Sequence, residues 1–278
     1  MPELPEVESI KNILKSSLTG KVITGIKFFF TGMLGPLAPY DFTLEIRGKK
    51  ILDLSRRGKY LLFYLSGGKI LEVHLRMTGA FFLYPAGNPV SQHIRAIFFL
   101  NDGNELHFRD VRKFGTFRLR EKKEMEGLNL TRLGPDLLDD VHDIRFFREI
   151  LKKKPRCSLK TFLLDQRNVA GLGNIYTDEA LFRSGLHPVR HIETLSPEEE
   201  AALLQSIKDV LREGIVCGGV SVSDYLDPMG RSGSFQLHLQ VYRRENEPCF
   251  KCGGLIVRHV IAGRGTYFCP SCQKQSPY

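Results

Sequence analysis

The chain has no apolar run that approaches the length needed to cross a bilayer, which excludes an ordinary helical membrane protein. Its first residues also lack the basic start and apolar stretch of a secretory signal, because Glu3, Glu6 and Glu8 stand in their place. We therefore expect a cytoplasmic protein without a membrane partner.

Cysteine is scarce, and its placement excludes a secreted disulfide framework. Of six cysteines, Cys157 and Cys217 stand alone, and the others form two Cys-x-x-Cys pairs, at Cys249, Cys252, Cys269 and Cys272. Sixteen residues separate the two pairs, a spacing typical of one tetrahedral Zn²⁺ site. Because all four ligands are thiolates, no coordination position stays open, and we expect the zinc to be structural.

The length and net charge of the chain indicate the number of domains and the kind of partner to expect. The 278 residues include 42% hydrophobic side chains, which suggests roughly two domains with real cores. The formal net charge is +9. Such a surplus favours a polyanionic partner without requiring one.

The first residues could provide a nucleophilic N-terminal amine. Removal of Met1, which a small second residue permits, would leave Pro2 as a secondary amine. An α-amino group titrates near ~8, roughly two units below lysine, so more of it is neutral and nucleophilic. Such an amine attacks a sugar aldehyde carbon to give an iminium, and Glu3 lies beside it to move protons. The structural alternative is a good helix start, with Pro5 at the first helical position and Gly20 as the stop.

Short aromatic or β-branched segments separated by turns fill most of the first 120 residues. We predict strands at 22–30, 43–46, 50–55, 60–65, 70–75, 80–84, 94–100, 105–109 and 116–119. Their spacing predicts an α+β domain, in which the N-terminal helix packs on a β-sandwich or barrel-like sheet. Basic residues recur at the strand ends and favour a common positive rim, at Arg56, Arg57, Lys59, His74, Arg76, Arg109, Arg112 and Lys113.

Beyond the charged stretch 121–126, which has the composition of a linker, the pattern changes to helices. We predict helices at 145–154, 158–164 and 175–183, and a fourth helix that Ser196 and Glu199 open as a capping box. Gly171 and Gly173 precede the third helix, where backbone amides can approach a phosphate, although most such glycine pairs are only turns.

In the last part of the chain, the sequence pattern predicts a glycine-rich loop followed by a β-hairpin. The glycine-rich stretch 218–236 has the length of a mobile functional loop. Between the cysteine pairs, 255–262 and 266–268 can form a hairpin closed by Gly263, Arg264 and Gly265. Arg264 then lies at the hairpin tip, either as a solvated turn residue or as a phosphate contact.

Together these motifs resemble the formamidopyrimidine-DNA glycosylases, bacterial enzymes of base excision repair. The matching segments cover essentially the whole chain in the family's order, at 1–8, 56–61, 74–79, 110–115, 171–176 and 263–266 with the four cysteines. The resemblance implies an N-terminal β-sandwich domain, a helix–two-turn–helix domain and a C-terminal zinc finger. We place these at 1–125, 126–217 and 245–278, with a lesion-recognition loop and linker strand at 218–244.

The resemblance also implies roles for the matched residues. Pro2 would attack C1′ of the damaged nucleotide, Glu3 would move protons at the sugar, and Glu6 would orient the site. A phosphate clamp is implied at Lys59, His74, Asn174 and Arg264, of which Lys59 and Arg264 also count as catalytic. Further DNA contacts are implied at His93 and Tyr242. Three side chains would fill the space left by the extruded base, at Met77, Arg112 and Phe114. Core packing is the alternative for Met77 and Phe114.

The implied activity is that of a monomeric, nucleoid-associated glycosylase and AP lyase. It would remove 8-oxoguanine and formamidopyrimidines from duplex DNA through a Pro2 Schiff base, followed by β- and δ-elimination. The start Pro-Glu-Leu-Pro-Glu resembles this purine branch, whereas the endonuclease VIII branch more often reads Pro-Glu-Gly-Pro-Glu. The chain departs from the family at Arg243 and Asn246, where glycines are usual.

Three alternatives stay open. In the first, the enzyme acts on oxidised pyrimidines, like the endonuclease VIII branch. A protein that retains Met1 would have a blocked Pro2 nitrogen and would bind damaged DNA without catalysis. The zinc finger would, in a third reading, contact protein and not DNA.

Overall fold

The computed structural model describes residues 1–121, 129–139, 141–221 and 225–275. Two compact units divide the chain. The first, here called the β unit, comprises Met1–Thr131 and Cys217–Gln236, and the second, the helical unit, comprises Arg132–Val216 and Leu237–Tyr278. Most of the predicted linker 121–126 lies outside the described residues, and so do residues 222–224 of the predicted loop. The four-part division of the chain therefore stays a prediction.

The β unit consists of two four-stranded antiparallel sheets and two helices, α1 (Leu4–Leu18) and α2 (Pro39–Ile46). The first sheet contains, in spatial order, β1 (Ile23–Phe28), β6 (Ile94–Leu100), β7 (Asn104–Asp110) and β5 (Gly79–Pro85). The second contains, in spatial order, β2 (Ile51–Arg57), β3 (Tyr60–Leu65), β4 (Lys69–His74) and β8 (Thr116–Glu121).

One apolar core lies between the two sheets, because alternate residues of each strand point inward. Its centre is aromatic: the Phe108 ring lies 4.7 Å from that of Phe117 and 5.1 Å from that of Phe81. Helix α1 buries the apolar stripe that begins at Val7 and Ile10 in the same core and packs on β2. The predicted α+β sandwich with an N-terminal helix is therefore confirmed.

The strand predicted at 43–46 is wrong, because these residues form the last turn of α2. Pro39 occupies the start of this helix, where its fixed φ and missing N–H cost nothing. Phe42 and Ile46, four residues apart, are its buried side chains and contribute to the core of the β unit. The four residues 43–46 are too few to distinguish the two-residue period of a strand from the 3.6-residue period of a helix. Pro39, which favours a helix start, lies outside the segment that was predicted as a strand.

The helical unit contains four described α-helices and a two-stranded hairpin. The helices are α3 (Ile144–Lys152), α4 (Leu159–Leu164), α5 (Asn174–Arg183) and α6 (Pro197–Val216), and the hairpin is formed by β9 (Val257–Ile261) and β10 (Arg264–Phe268). All four helices begin within two residues of their predicted positions. None of the helices that the structure describes is long and apolar enough to span a membrane.

Local signals explain how these helices begin and pack. The predicted capping box of α6 is confirmed: the Glu199 N–H lies 3.3 Å from Ser196 Oγ, and the Ser196 N–H donates to the Glu199 carboxylate at 2.9 Å. A Cβ on Gly214 of α6 would lie only 2.5 Å from the Tyr176 ring of α5. Glycine at this position therefore sets how closely α5 and α6 approach.

Candidate functional site

The first turn of α1 carries the predicted nucleophile and two acidic side chains. Pro2, Glu3 and Glu6 are all buried, whereas Met1 is exposed. Helix α1 begins at Leu4, so Pro5 occupies its second position and not the first as predicted. The Glu3 backbone N–H donates to Glu6 Oε2 at 2.7 Å and fixes the segment that bears Pro2.

Glu6 also connects the helix start to the segment 217–221 of the β unit. Its Oε1 accepts the Val220 backbone N–H at 2.8 Å. A Cβ on Gly219, whose φ is +90°, would lie 2.7 Å from Glu6 Cγ and Oε1. Only glycine fits this approach without moving the carboxylate.

Tyr225 closes this arrangement. Its hydroxyl donates to the Glu6 backbone carbonyl at 3.4 Å. Burial, and then the negative charges of Glu6 and Asp227, raise the pKa of Tyr225. The phenol therefore stays protonated at neutral pH and remains a hydrogen-bond donor.

Arg56 does not contribute free positive charge to the predicted rim. Its Nε donates to Glu8 Oε2 at 2.8 Å, and its NH1 group donates to the Gly58 carbonyl at 3.0 Å. Burial acts to raise the pKa of Glu8, but the hydrogen bonds from Lys11 and Arg56 outweigh it, so this pKa is lowered. Arg56 therefore ties α1 to the turn between β2 and β3.

Lys59 and His74 are both buried, and His74 packs edge-on against Tyr60 at 4.5 Å between ring centroids. The His74 Nδ1 accepts the Arg76 backbone N–H at 2.9 Å. Burial, followed by the positive charges of Arg76 and Lys59, lowers the pKa of His74 to about 3. His74 is therefore neutral at pH 7, with Nε2–H left as a donor.

Asp110 organises the turn that carries the predicted wedge. Its Oδ1 accepts the Thr78 hydroxyl at 2.5 Å and its Oδ2 accepts the Gly115 N–H at 2.7 Å. The Arg112 N–H donates to Thr78 Oγ1 at 3.0 Å and lies 3.2 Å from Asp110 Oδ1. His93 adjoins this turn, since its backbone carbonyl accepts the Asp110 N–H at 2.9 Å.

The structure brings Met77, Arg112 and Phe114 together at the surface. The Arg112 NH1 group lies 2.8 Å from Met77 Sδ, and its guanidinium stands 4.9 Å from the Phe114 ring centroid. Met77 is 41% exposed and Phe114 51% exposed. Core packing, the alternative for these two side chains, is therefore excluded.

In the helical unit, α5 holds the zinc-finger hairpin. Asn174 Nδ2 donates to the Gly265 carbonyl at 2.7 Å, and Asn174 Oδ1 is buried without a hydrogen-bond partner among the described residues. Arg264 is not at the hairpin tip as predicted, because Ala262 and Gly263, with φ of 52° and 69°, form the turn. Arg264 is the first residue of β10, pairs with Ile261, and remains exposed.

Buried charges support the same hairpin. The Lys160 ammonium forms a fully buried ion pair with Asp178, whose Oδ2 accepts the Tyr267 N–H at 3.1 Å. Burial raises the pKa of Asp178 to about 7, against the opposing effect of Lys160. Because Tyr267 belongs to β10, this pair fixes the strand that begins with Arg264.

Glu179 fixes the segment that carries Tyr242. Its carboxylate accepts three consecutive backbone N–H groups, from Gln240 at 2.8 Å, Val241 at 3.0 Å and Tyr242 at 2.9 Å. Burial raises the pKa of Glu179, although the three N–H donors oppose this rise. The Tyr242 ring packs edge-on against that of Tyr267 at 5.1 Å.

The four paired cysteines converge as the zinc prediction requires. Their Sγ atoms all lie within 4.8 Å of one another; those of Cys252 and Cys269 are 3.5 Å apart and those of Cys249 and Cys272 are 3.9 Å apart. Four thiolates about 2.3 Å from a tetrahedral Zn²⁺ lie roughly 3.8 Å from one another. The cluster therefore fits one structural zinc and leaves no open coordination position.

The sequence did not reveal several residues that position this site. Asp110 accepts backbone N–H groups, Tyr225 donates to a backbone carbonyl, and Gly219 leaves space for Glu6 by lacking a Cβ. Lys160 and Glu179 are charged residues inside the core of the helical unit. Asp110 lies in the matching segment 110–115, but its residue type alone does not show that it fixes the turn carrying Arg112 and Phe114. Charged residues on a helix are ordinarily exposed, so sequence pattern alone gives no signal for Lys160 and Glu179.

Comparison with known proteins gives a consistent result over the whole chain. Residues 1–117 match the family model for the formamidopyrimidine-DNA glycosylase N-terminal domain, and residues 133–225 match that for its H2TH domain. Residues 246–275 match the zinc finger found in FPG and IleRS. The formamidopyrimidine-DNA glycosylase of Pelotomaculum thermopropionicum is 44% identical over 278 residues, covering 99% of each chain.

Two solved structures of Lactococcus lactis Fpg are similar throughout. The complex with DNA containing an abasic site has a TM-score of 0.92 and 36% identity, and covers 98% of this chain and all of that one. The complex with DNA containing Fapy-dG has a TM-score of 0.91 at the same identity and coverage.

Proposed function

Because the chain belongs to the formamidopyrimidine-DNA glycosylase family, we propose that it excises oxidised purines through covalent attack by Pro2. It is a DNA glycosylase of base excision repair that acts on damaged double-stranded DNA and carries one structural zinc. The proposal adds the lesion class, the Schiff base and the strand-cleaving lyase step. The bacterial relatives support a place at the nucleoid in the cytoplasm.

The single observation that carries the proposal is that the Glu6 carboxylate binds two separate segments of the chain. One carboxylate oxygen holds the N–H of Glu3 and the other holds the N–H of Val220. The segment that bears Pro2 is thereby fixed to the start of the stretch that we propose closes on the damaged base. An amine held in this way loses little orientational freedom when it reacts, which favours covalent catalysis.

The proposed reaction uses groups of this chain at each step. After Met1 is removed, the Pro2 nitrogen attacks C1′, the C1′–base bond breaks, and the base leaves with a proton. Opening of the sugar gives an iminium between Pro2 and C1′. Glu3, buried beside Pro2, moves the protons that sugar opening and the β- and δ-elimination steps require. Hydrolysis of the iminium releases the sugar fragment and restores the free amine.

Extrusion of the damaged nucleotide is assigned to the exposed cluster of Met77, Arg112 and Phe114. Unstacking costs a few kcal/mol, which insertion of apolar side chains between bases helps to offset. Arg112 reaches over the Phe114 ring, and its guanidinium can pair with the orphaned opposite base.

Each unit supplies part of the proposed phosphate contacts. In the β unit, Lys59 supplies a positive charge and neutral His74 an N–H donor. In the helical unit, Asn174 fixes the hairpin beside Arg264, whose exposed guanidinium is free to reach a phosphate. We propose His93 and Tyr242 as further DNA contacts.

Excision from duplexes that carry one defined lesion tests the proposal. We expect release of 8-oxoguanine and of formamidopyrimidine opposite cytosine, with cleavage on both sides of the site. Glu3→Gln should slow base release, and Phe114→Ala should slow it while sparing cleavage of a preformed abasic site. Phe29→Ala, which removes an exposed phenylalanine of the same unit outside the wedge, is the matched control.

Three outcomes would assign another activity. Processing of oxidised pyrimidines with 8-oxoguanine left intact would place the enzyme in the other branch. Tight binding to every lesion without any cleavage would identify a damage-binding protein. An unchanged affinity and salt dependence in Arg264→Ala would show that the zinc finger does not contact DNA.

A further inference from the structure

One arginine of the β unit connects His93 to the turn that carries the wedge. Arg95 follows His93 by two residues, lies on β6 and is half-buried. It stands outside the segments that match the family motifs, so the resemblance implies no role for it. Its contacts, however, reach two elements that we assign to the interaction with DNA.

Arg95 is the extra residue of a β-bulge. A step of two residues along β6, from Ile94 to Ala96, corresponds to a step of one residue along β7, from Arg109 to Phe108. A bulge changes the direction in which the side chain of the extra residue points, and bulges are common next to active sites. The irregular pairing at this point of the sheet therefore places the Arg95 side chain where a regular strand would not.

The first contact of this side chain is with the base of the wedge turn. Arg95 Nε donates to the Asp110 backbone carbonyl at 2.8 Å, and the Asp110 N–H donates to the His93 carbonyl at 2.9 Å. Both backbone polar groups of Asp110 are thus bound by the same segment of β6. The Asp110 carboxylate in turn accepts the Gly115 N–H, so the turn is held at its backbone as well as at this side chain.

The second contact of the Arg95 guanidinium is with the His93 ring. The Arg95 NH2 group lies 3.4 Å from His93 Nδ1. Because a guanidinium only donates, Nδ1 is the acceptor, and in the neutral ring the proton is on Nε2. Nε2 has no hydrogen-bond partner among the residues that the structure describes. Arg95 thereby leaves His93 with an N–H donor of the kind that binds a DNA phosphate.

We propose that Arg95 is a positioning residue for base release, which fixes the His93 tautomer and the wedge turn with one guanidinium. The inference rests on the proposed DNA contacts of His93 and of the wedge. Extrusion of a nucleotide requires the wedge to enter the stack while the DNA backbone bends, so the two contacts must form together. The planar guanidinium binds two acceptors in a fixed relative geometry, which the single ammonium of lysine does not reproduce.

Long-range ¹H–¹⁵N NMR of the zinc-loaded, full-length protein without DNA tests the contact with His93. In the wild-type protein the proton should be on His93 Nε2. In Arg95→Met, the Nδ1 signal should shift, because this nitrogen loses its donor and the other tautomer becomes populated. Arg118→Met, which removes a half-buried arginine of the second sheet, is the matched control and should leave the signal in place. An unchanged His93 signal in Arg95→Met would overturn the proposal.

Single-turnover kinetics with a duplex that carries one 8-oxoguanine test the effect on base release. Arg95→Met should slow release about tenfold, which is the size expected when a hydrogen bond from a charged group is lost. Cleavage of a preformed abasic site should keep the wild-type rate, which also shows that the variant is folded. Arg95→Lys should be slow as well, and Arg118→Met should release the base at the wild-type rate.

Two results would show that Arg95 acts as an ordinary phosphate-binding charge and would overturn the positioning role. These are a wild-type rate in Arg95→Lys and a weaker salt dependence of DNA binding in Arg95→Met. An equal loss in base release and in abasic-site cleavage would also overturn it, because a general structural defect affects both reactions.

A double variant tests whether Arg95 acts through His93. Adding Arg95→Met to His93→Gln should slow base release by clearly less than it does in the wild-type protein, since one of its two contacts is already lost. The same loss in both backgrounds would show that the two residues act independently and would contradict the proposal. A wild-type protein that releases no 8-oxoguanine would refute the proposed lesion class, and the NMR comparison would still decide whether Arg95 fixes His93.

Discussion

Both units hold their proposed DNA contacts with buried carboxylates that accept backbone N–H groups, but in the helical unit one of these carboxylates, that of Asp178, is also paired with a fully buried lysine. In the β unit, the carboxylates of Glu6 and Asp110 accept backbone N–H groups and fix the turns that present Pro2 and the wedge. In the helical unit, the fully buried side chains of Lys160, Asp178 and Glu179 fix the segments that present Arg264 and Tyr242.

This difference determines how each unit responds to change. A buried charge that loses its partner is left uncompensated, which costs far more than the pair contributes. The helical unit should therefore be the more fragile of the two, and the following experiments test that ranking.

Zinc removal should have the largest effect and should be confined to the helical unit. The hairpin has a small core, in which Cys249 and Cys269 lie beside Phe182, Val241 and Ile256. A structural zinc contributes on the order of 10 kcal/mol in small zinc modules, so the hairpin should lose its order without it. Hydrogen exchange after chelation should show fast exchange in β9 and β10 and unchanged protection in β3 and β7. Retained protection in β9 and β10 would contradict the structural role of the metal.

Lys160→Met should have the next largest effect. It leaves the Asp178 carboxylate buried without its cation, and removing one partner of a buried pair costs roughly 3–5 kcal/mol. Lys152→Met, which breaks an exposed pair with Glu149, should cost less than about 1 kcal/mol. Denaturant unfolding of the zinc-loaded protein measures both, and adding Asp178→Leu to Lys160→Met should restore most of the loss. Equal losses in the two single variants would remove the contrast between the units.

In the β unit, His74 should produce a smaller, pH-dependent effect. Its pKa is about 3 in the folded state, below the ordinary value of 6.5, so only the unfolded chain takes up the proton between these values. Stability should therefore fall as the pH decreases from 6.5, by about 1.4 kcal/mol per pH unit for this one group. His74→Gln should lose this dependence, as unfolding at several pH values would show. The same slope in both proteins would mean that His74 is not held neutral.

The smallest effect concerns Arg243, where the resemblance to the family predicts glycine. Its φ is 62°, in the left-handed region that favours glycine, and the same holds for Asn246 at 65°. Arg243→Gly should therefore stabilise the protein, by about 0.5–1 kcal/mol, and Asn246→Gly by less because asparagine tolerates this conformation. Glu245→Gly, at an exposed position between them without positive φ, should destabilise it. A loss of stability in Arg243→Gly would show that its side chain has gained a role of its own.

Periodicity and turn residues were sufficient to predict most of the fold. The apolar stripe of α1, the strands on both sides of the sandwich core and the Ser196 capping box are set by local sequence. The segment 43–46 was too short for its period to separate strand from helix. The prediction that Arg264 lies at the hairpin tip was wrong, because the turn between β9 and β10 forms at Ala262 and Gly263, one residue earlier than the glycine pattern suggested.

The supports of the site were beyond sequence pattern because their partners are distant in the chain. Glu179 binds the N–H of Tyr242, 63 residues away, and Glu6 binds that of Val220, 214 residues away. Whether a charged residue is buried depends on such partners, which only the folded chain brings together. The proposed nucleophile was visible in the sequence because its chemistry belongs to one residue, Pro2, and its place in the chain.

The most direct test of the account is borohydride trapping on a duplex with one 8-oxoguanine, with mass spectrometry of the protein terminus. The account predicts a stable covalent adduct on the Pro2 nitrogen of a chain that has lost Met1, because borohydride reduces the iminium to an amine. A Met1-free chain that gives no adduct, with 8-oxoguanine or with an abasic site, would contradict covalent catalysis by Pro2.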